Sequence, residues 1–108
     1  MIFRATDVPR IKIDDAMTIL QYTSSEHSAK FNAVVGQLDG DHGLTTNRVS
    51  DRAYYILKGK GRATVGAKVY EVTEGDLVLI SSGTPHGISG KLEFLIITAP
   101  AFNPADEQ

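Results

Sequence analysis

Short alternating or apolar runs, broken by glycine, proline and small polar residues, recur along this whole chain. Nowhere do apolar residues repeat at helical spacing for three turns. That punctuation leaves strands and turns as the building material. The extended candidates are residues 2–4, 17–22, 31–38, 53–57, 62–65, 68–72, 77–80, 86–88 and 92–98. Pro9 biases the chain before it away from helix. Segments 39–43, 58–61, 73–76 and 81–85 read as turns, and Gly59 and Gly61 can supply the positive φ of a tight hairpin. Residues 100–108, with two prolines, read as an irregular tail. Eight or nine short strands predict an all-β sandwich or barrel. With 108 residues the chain suits one domain around one core, expected over about residues 16–99.

The composition narrows the function classes. No cysteine is present, which rules out disulfides and thiolate metal sites and fits a reducing cytoplasm. The N-terminal residues lack the basic start and long apolar segment of a secretory signal, and no apolar run is long enough to span a bilayer. A formal charge of −2 offers no global attraction for nucleic acid or anionic lipid. The expectation is a cytoplasmic protein with neither nucleic acid nor membrane as partner. Cationic character must then be local, which singles out Arg48 and Arg52.

Both arginines lie in the stretch 40–59, GDHGLTTNRVSDRAYYILKG. Thr46, Asn47, Arg48, Ser50, Asp51 and Arg52 crowd the mouth of an aromatic and aliphatic strand. They are either solvated turn residues or the lining of a site. His27 and His42, in polar turns, read as loop histidines outside any barrel interior.

The spacing of glycines and histidine resembles the cupin superfamily, small double-stranded β-helix (jelly-roll) barrels with motifs G-x5-H-x-H-x3-E-x6-G and G-x5-P-x-G-x2-H-x3-N. Gly40 and Gly59 stand at the two ends of the first motif, and Gly75, Gly83 and His86 match the second. YYILKGKGRATV and EGDLVLISSGTPHGI reproduce the hydrophobic frame, and the resemblance covers about residues 31–100. It implies a cupin barrel, and in the family the motif's histidines and glutamate bind a divalent metal. Here those first-motif positions fall on Thr46, Arg48 and Arg52, or on Thr45 and Asn47 if the loop is one residue longer. Only His86 remains, Ser81 stands for the second motif's proline and Gly90 for its asparagine. The expected cofactor is therefore none. One imidazole does not hold a metal where about three protein ligands are needed, and a guanidinium repels a cation.

If the family geometry holds, Thr46, Arg48, Arg52 and His86 face one pocket and form its ligand-binding set. Buried guanidinium groups require an anion. That anion is a carboxylate of the chain, such as Asp51, Glu71 or Asp76, or a carboxylate, sugar acid or phosphate ligand. Tyr54 shares a strand face with Arg52 and, with His86, is a candidate for proton chemistry, as in the metal-free sugar-modifying cupins. Two functions follow: a non-enzymatic barrel holding an anionic metabolite, or an isomerase or epimerase using His86 as acid/base. A metal-dependent enzyme with displaced ligands is a third. Small cupins often pair through outer strands, so the resemblance also implies a homodimer.

Overall fold

The computed structural model describes residues 1–108. Seven strands run in chain order: β1 (Arg10–Lys12), β2 (Met17–Gln21), β3 (Asn32–Thr45), β4 (Asp51–Val65), β5 (Lys68–Thr73), β6 (Leu77–Ile80) and β7 (His86–Ala99). All pairings are antiparallel. The sheet order is β1-β2-β3-β7-β4-β5, with β6 also paired to β4. Period-two alternation sets the faces. Val34 and Leu38 of β3, Tyr54 and Ile56 of β4, and Leu92, Phe94 and Ile96 of β7 point inward. With residues of β2, β5 and β6 they form one core of 13 residues, so the sheet is rolled around a single interior. The all-β jelly-roll expectation holds.

Several expected turns are absent. β4 continues without a chain reversal through residues 58–61, with a register shift between Ile56 and Lys58, where the sequence suggests a hairpin. β3 likewise continues through residues 39–43 to Thr45, with a shift between Asp41 and Leu44. Residues 86–88 and 92–98 belong to one strand, β7. The N-terminal expectation also moves: residues 2–4 form no strand, and the first strand begins just after Pro9.

The glycines read as turns serve instead as a fold line. Gly40 pairs with Gly90, and Gly90 with Gly61, across β3, β7 and β4. A Cβ on Gly61 would sit 2.1 Å from the Ser89 carbonyl oxygen, and one on Gly90 2.6 Å from that of Lys60. Here backbones approach more closely than any side chain permits. A separation of twelve residues along a straight strand would hold His86 and Thr98, both on β7, about 40 Å apart. Yet the Arg52 guanidinium bonds to both. β7 must therefore double over between them, and the glycine line is where it does.

The tail is more ordered than its composition suggests. A short 3-10 turn at Pro104–Asp106 is capped by the Asn103 side chain. Beyond it, Gln108 N–H donates to the Thr46 carbonyl at 2.9 Å and Arg48 N–H to that of Asp106 at 3.0 Å. Phe102 N–H donates to Asn32 Oδ1 and Ser50 Oγ to the Pro100 carbonyl, each at 2.7 Å. Residues 100–108 thus form a strap laid against the 45–50 segment. No helix is long and apolar enough to cross a membrane.

Close approach and backbone conformation can be separated experimentally. Gly61→Ala, where the new methyl meets backbone, should lower stability by about 3 kcal/mol or prevent folding. Gly75 has φ +90° but nothing within 4 Å of a built Cβ, so Gly75→Ala should cost only about 1–2 kcal/mol. Urea unfolding of the two variants would reveal the difference.

Candidate functional site

One end of the rolled sheet encloses a cavity of about 430 Å³, a size suited to a small organic molecule. Its walls are largely aliphatic, with Ile11, Met17, Ile19, Val34, Ile88 and Ile96 contributing, and Phe94 and Phe102 add rings. The polar lining is Gln21, Asn32, His42, Thr45, Arg52, Tyr54, Thr98 and Glu107.

Arg52 is the electrostatic centre. It shares the inward parity of Tyr54 and Ile56, and only 8% of it is exposed. Its Nε donates to Thr98 Oγ1 at 3.3 Å, one terminal nitrogen to His86 Nε2 at 3.2 Å and the other to Glu107 Oε1 at 2.5 Å. Phe102 lies beneath the guanidinium carbon, 5.9 Å from ring centroid to Cζ, within cation–π range. The second oxygen of Glu107 accepts from Thr45 Oγ1 at 2.8 Å. Burial pushes the Glu107 carboxyl up, but hydrogen bonds from Arg52 and Thr45 outweigh it, so the group is held below its ordinary value. It is an anion paired with a cation.

His86 is 1% exposed, and both ring nitrogens are engaged. Nδ1 faces the Thr84 carbonyl at 2.9 Å and can only donate to it, which leaves Nε2 as acceptor for Arg52. Burial, joined by the Arg52 charge, pushes the imidazole below its ordinary value, so it stays neutral. The ring stands behind Arg52 and does not line the cavity. Tyr54 does line it and packs edge-on against His86 and Phe94. Burial raises its phenol, against the pull of Arg52, and keeps the hydroxyl protonated.

Of the four residues expected to share the interior, Arg52 and His86 are in contact, and Thr46 and Arg48 are elsewhere. Thr46 pairs through its backbone with Gln108. Arg48 is exposed and donates to the Ala105 carbonyl at 3.0 Å, because its segment leaves the barrel to meet the strap. The carboxylates suggested for Arg52 are also elsewhere: Asp51 accepts from Ser82 N–H and Asp76 from Thr73 N–H, while Glu71 is exposed. The partner is Glu107, on the segment read as an irregular tail. Of the two alternative motif positions, Thr45 reaches the site through Glu107. Asn47 instead caps a turn, its Oδ1 accepting from Val49 and Ser50 N–H.

His42 also departs from its reading as a loop histidine. It lines the cavity, and its Nδ1 lies 2.6 Å from Asp14 Oδ2. Counting alternation from Leu38 through Gly40 to His42 would have placed it inward, had β3 been run past its glycine. His27 does lie outside, stacked edge-on with Phe3.

The residues present do not fit the family's divalent metal. No three or more His, Asp or Glu side chains converge, and a permanent cation occupies the Nε2 lone pair through which His86 would coordinate.

The family model described as "Cupin domain" matches residues 39–97, more than half the chain, and the chain belongs to the cupin family. Protein MJ1618 of Methanocaldococcus jannaschii is 33% identical over 69 residues, which is 60% of this chain and 55% of that protein; the chain spans little more than half of that relative's length. Among solved structures, Streptomyces Pac13, described as a nucleoside dehydratase, superposes with TM-score 0.90 at 20% identity, over 100% of this chain and 88% of Pac13. A Pac13 variant has also been solved with uridine. A predicted oxalate decarboxylase of Thermotoga maritima matches with TM-score 0.82 at 24% identity, over 92% and 98% of the two chains. At these identities the structural likeness establishes the shared barrel.

The site makes stability depend on acid. His86 and Glu107 both have folded-state values below their ordinary ones, so the unfolded chain takes up protons first. Their contributions are complete above the unfolded values and fade as pH falls, His86 below about 6.5 and Glu107 below about 4.5. The urea midpoint should drop from pH 7.5 to pH 5, and His86→Gln should flatten that part of the profile.

Proposed function

We propose that the barrel binds a small molecule without a metal, holding an acceptor-bearing end of the ligand at Arg52 and its body against the aliphatic wall. The observation that carries this reading is the donor count at Arg52. A guanidinium has five N–H donors. Three are used within the protein, which leaves two on a group that lines a mostly apolar cavity. Glu107 balances the charge, so attraction for a dianion such as phosphate is weak. The favoured ligand carries one carboxylate or carbonyl group, with sugar acids and keto acids among the candidates. A barrel of this fold solved with uridine is in keeping with a ring-sized guest. His86 is better suited to orienting Arg52 than to acting on the ligand directly, since its Nε2 is occupied.

Benzoate and benzamide form a matched charged and neutral pair for calorimetric titration. Both should bind the wild type weakly. Glu107→Gln should tighten benzoate about tenfold, equivalent to about 1.4 kcal/mol, while leaving benzamide nearly unchanged. Arg52→Met combined with Glu107→Gln, which strands no buried charge, should abolish benzoate binding. Equal benzoate affinity in that double variant and the wild type would refute the reading.

The same sheet is apolar on its outer face, where an antiparallel sheet with one solvated side would be polar. Tyr55 pairs with Leu77 and Ala53 with Leu79, and beside them lie Leu95 and Ile97 of β7. Leu77 and Leu79 are 63% and 68% exposed. We read this self-complementary face as the contact between two copies of the chain. Light scattering should give the mass of a dimer for the wild type and of a monomer for Leu77→Glu/Leu79→Glu.

A further inference from the structure

His42 and Asp14 form a second polar centre in the cavity, apart from the Arg52 cluster. Asp14 is fixed at both oxygens: Oδ1 accepts from Ala16 and Met17 N–H, each at 2.8 Å, and Oδ2 faces His42 Nδ1 at 2.6 Å. The hydrogen bond from His42, more than the opposing burial, holds the Asp14 carboxyl below its ordinary value. A carboxylate can only accept, so Nδ1 carries the proton and the lone pair of the neutral ring is on Nε2. That nitrogen has no hydrogen-bond partner in the protein, and His42 lines the cavity. An imidazole oriented from behind by a carboxylate, with its far nitrogen free beside a ligand-sized space, is a general base in position.

We propose that His42 is the catalytic acid/base of an enzyme acting on a small aldehyde, ketone or keto acid, with Asp14 as its positioning residue. The inference rests on the reading of the cavity as a ligand site with Arg52 at the ligand's acceptor end. The C–H bond beside the carbonyl breaks and its proton passes to Nε2. The electron pair left on carbon forms the enolate double bond, and the negative charge gathers on the carbonyl oxygen. Arg52 and the protonated Tyr54 hydroxyl donate to that oxygen. Where that carbon also carries a hydroxyl, the species is an enediolate; return of the proton from Nε2 to the former carbonyl carbon, as the hydroxyl proton passes to the former carbonyl oxygen, completes an isomerisation with no oxidant, reductant or second substrate consumed. This assigns to His42 the proton chemistry that the motif spacing suggests for His86.

The test uses the full chain and 5-nitrobenzisoxazole, a flat apolar probe. A base removes its ring C–H proton while the N–O bond breaks, releasing a coloured cyanonitrophenolate. The wild type should exceed free imidazole, at equal concentration, by about a hundredfold or more. His42→Gln should fall to background. Asp14→Asn, which keeps an acceptor for the backbone donors, should lower kcat with little change in KM. His27→Gln should behave as wild type, and free imidazole should restore part of the rate to His42→Ala. Methyl NMR shifts of the cavity isoleucines report probe binding separately. Probe bound without turnover, or turnover indifferent to His42→Gln, would overturn the assignment and leave the ligand-site reading standing. Failure of the probe to bind at all would remove both.

Discussion

The structure depends on three long strands doubling over where they have no side chains. Gly40, Gly90 and Gly61 lie side by side across β3, β7 and β4; carbonyl oxygens occupy the space where Cβ atoms of Gly61 and Gly90 would be, and the Ala16 side chain crowds that of Gly40. Folding each strand onto itself converts one sheet into a container. It also brings the two ends of β7 to the same guanidinium, since Arg52 reaches Thr98 at one end and His86 at the other. The core and the site are two consequences of that line of glycines.

Inside the container, the cost of burying a charge organises the polar groups. Arg52 cannot be buried alone, and the chain answers with Glu107, carried by the strap that pairs with residues 46–48. A neutral His86 accepts from the same guanidinium, and Phe102 supports it from below. The result is a cation held rigidly in place, with its charge compensated and part of its donor set still free. On the reading proposed above, such an arrangement favours recognition of one oxygen-bearing group over general attraction for anions.

The cupin barrel accommodates different chemistries because its frame and its lining are set by different residues. Here the frame glycines, the alternating apolar residues and His86 retain the family pattern, while the first-motif positions that would grip a metal carry a threonine and two arginines. Of those, only Arg52 reaches the interior. Polar function is divided between a cluster around Arg52 and the His42–Asp14 pair, and the two share an aliphatic cavity. Neither centre contains enough ligand atoms for a metal, yet together they present donors and a free imidazole nitrogen to the same space.

Alternation and glycine spacing were enough to determine that the chain is all-β, that it is a cupin barrel, and that Tyr54 shares a strand face with Arg52. Those properties are local: a period of two and the absence of a Cβ can be read from neighbouring residues. Residues 77–80 were legible as a strand to the residue. The identity of the turns was not, because a glycine in a tight hairpin and a glycine in a folding strand look alike until the facing backbone is known. The site was half legible. Arg52 and His86 follow from motif position, but Arg48 leaves the barrel, Glu107 comes from more than fifty residues away, and Asp14 meets His42 across a sequence gap of 28 residues. Only the closed tertiary structure decides such pairings, since a buried charge takes whichever partner the fold brings to it.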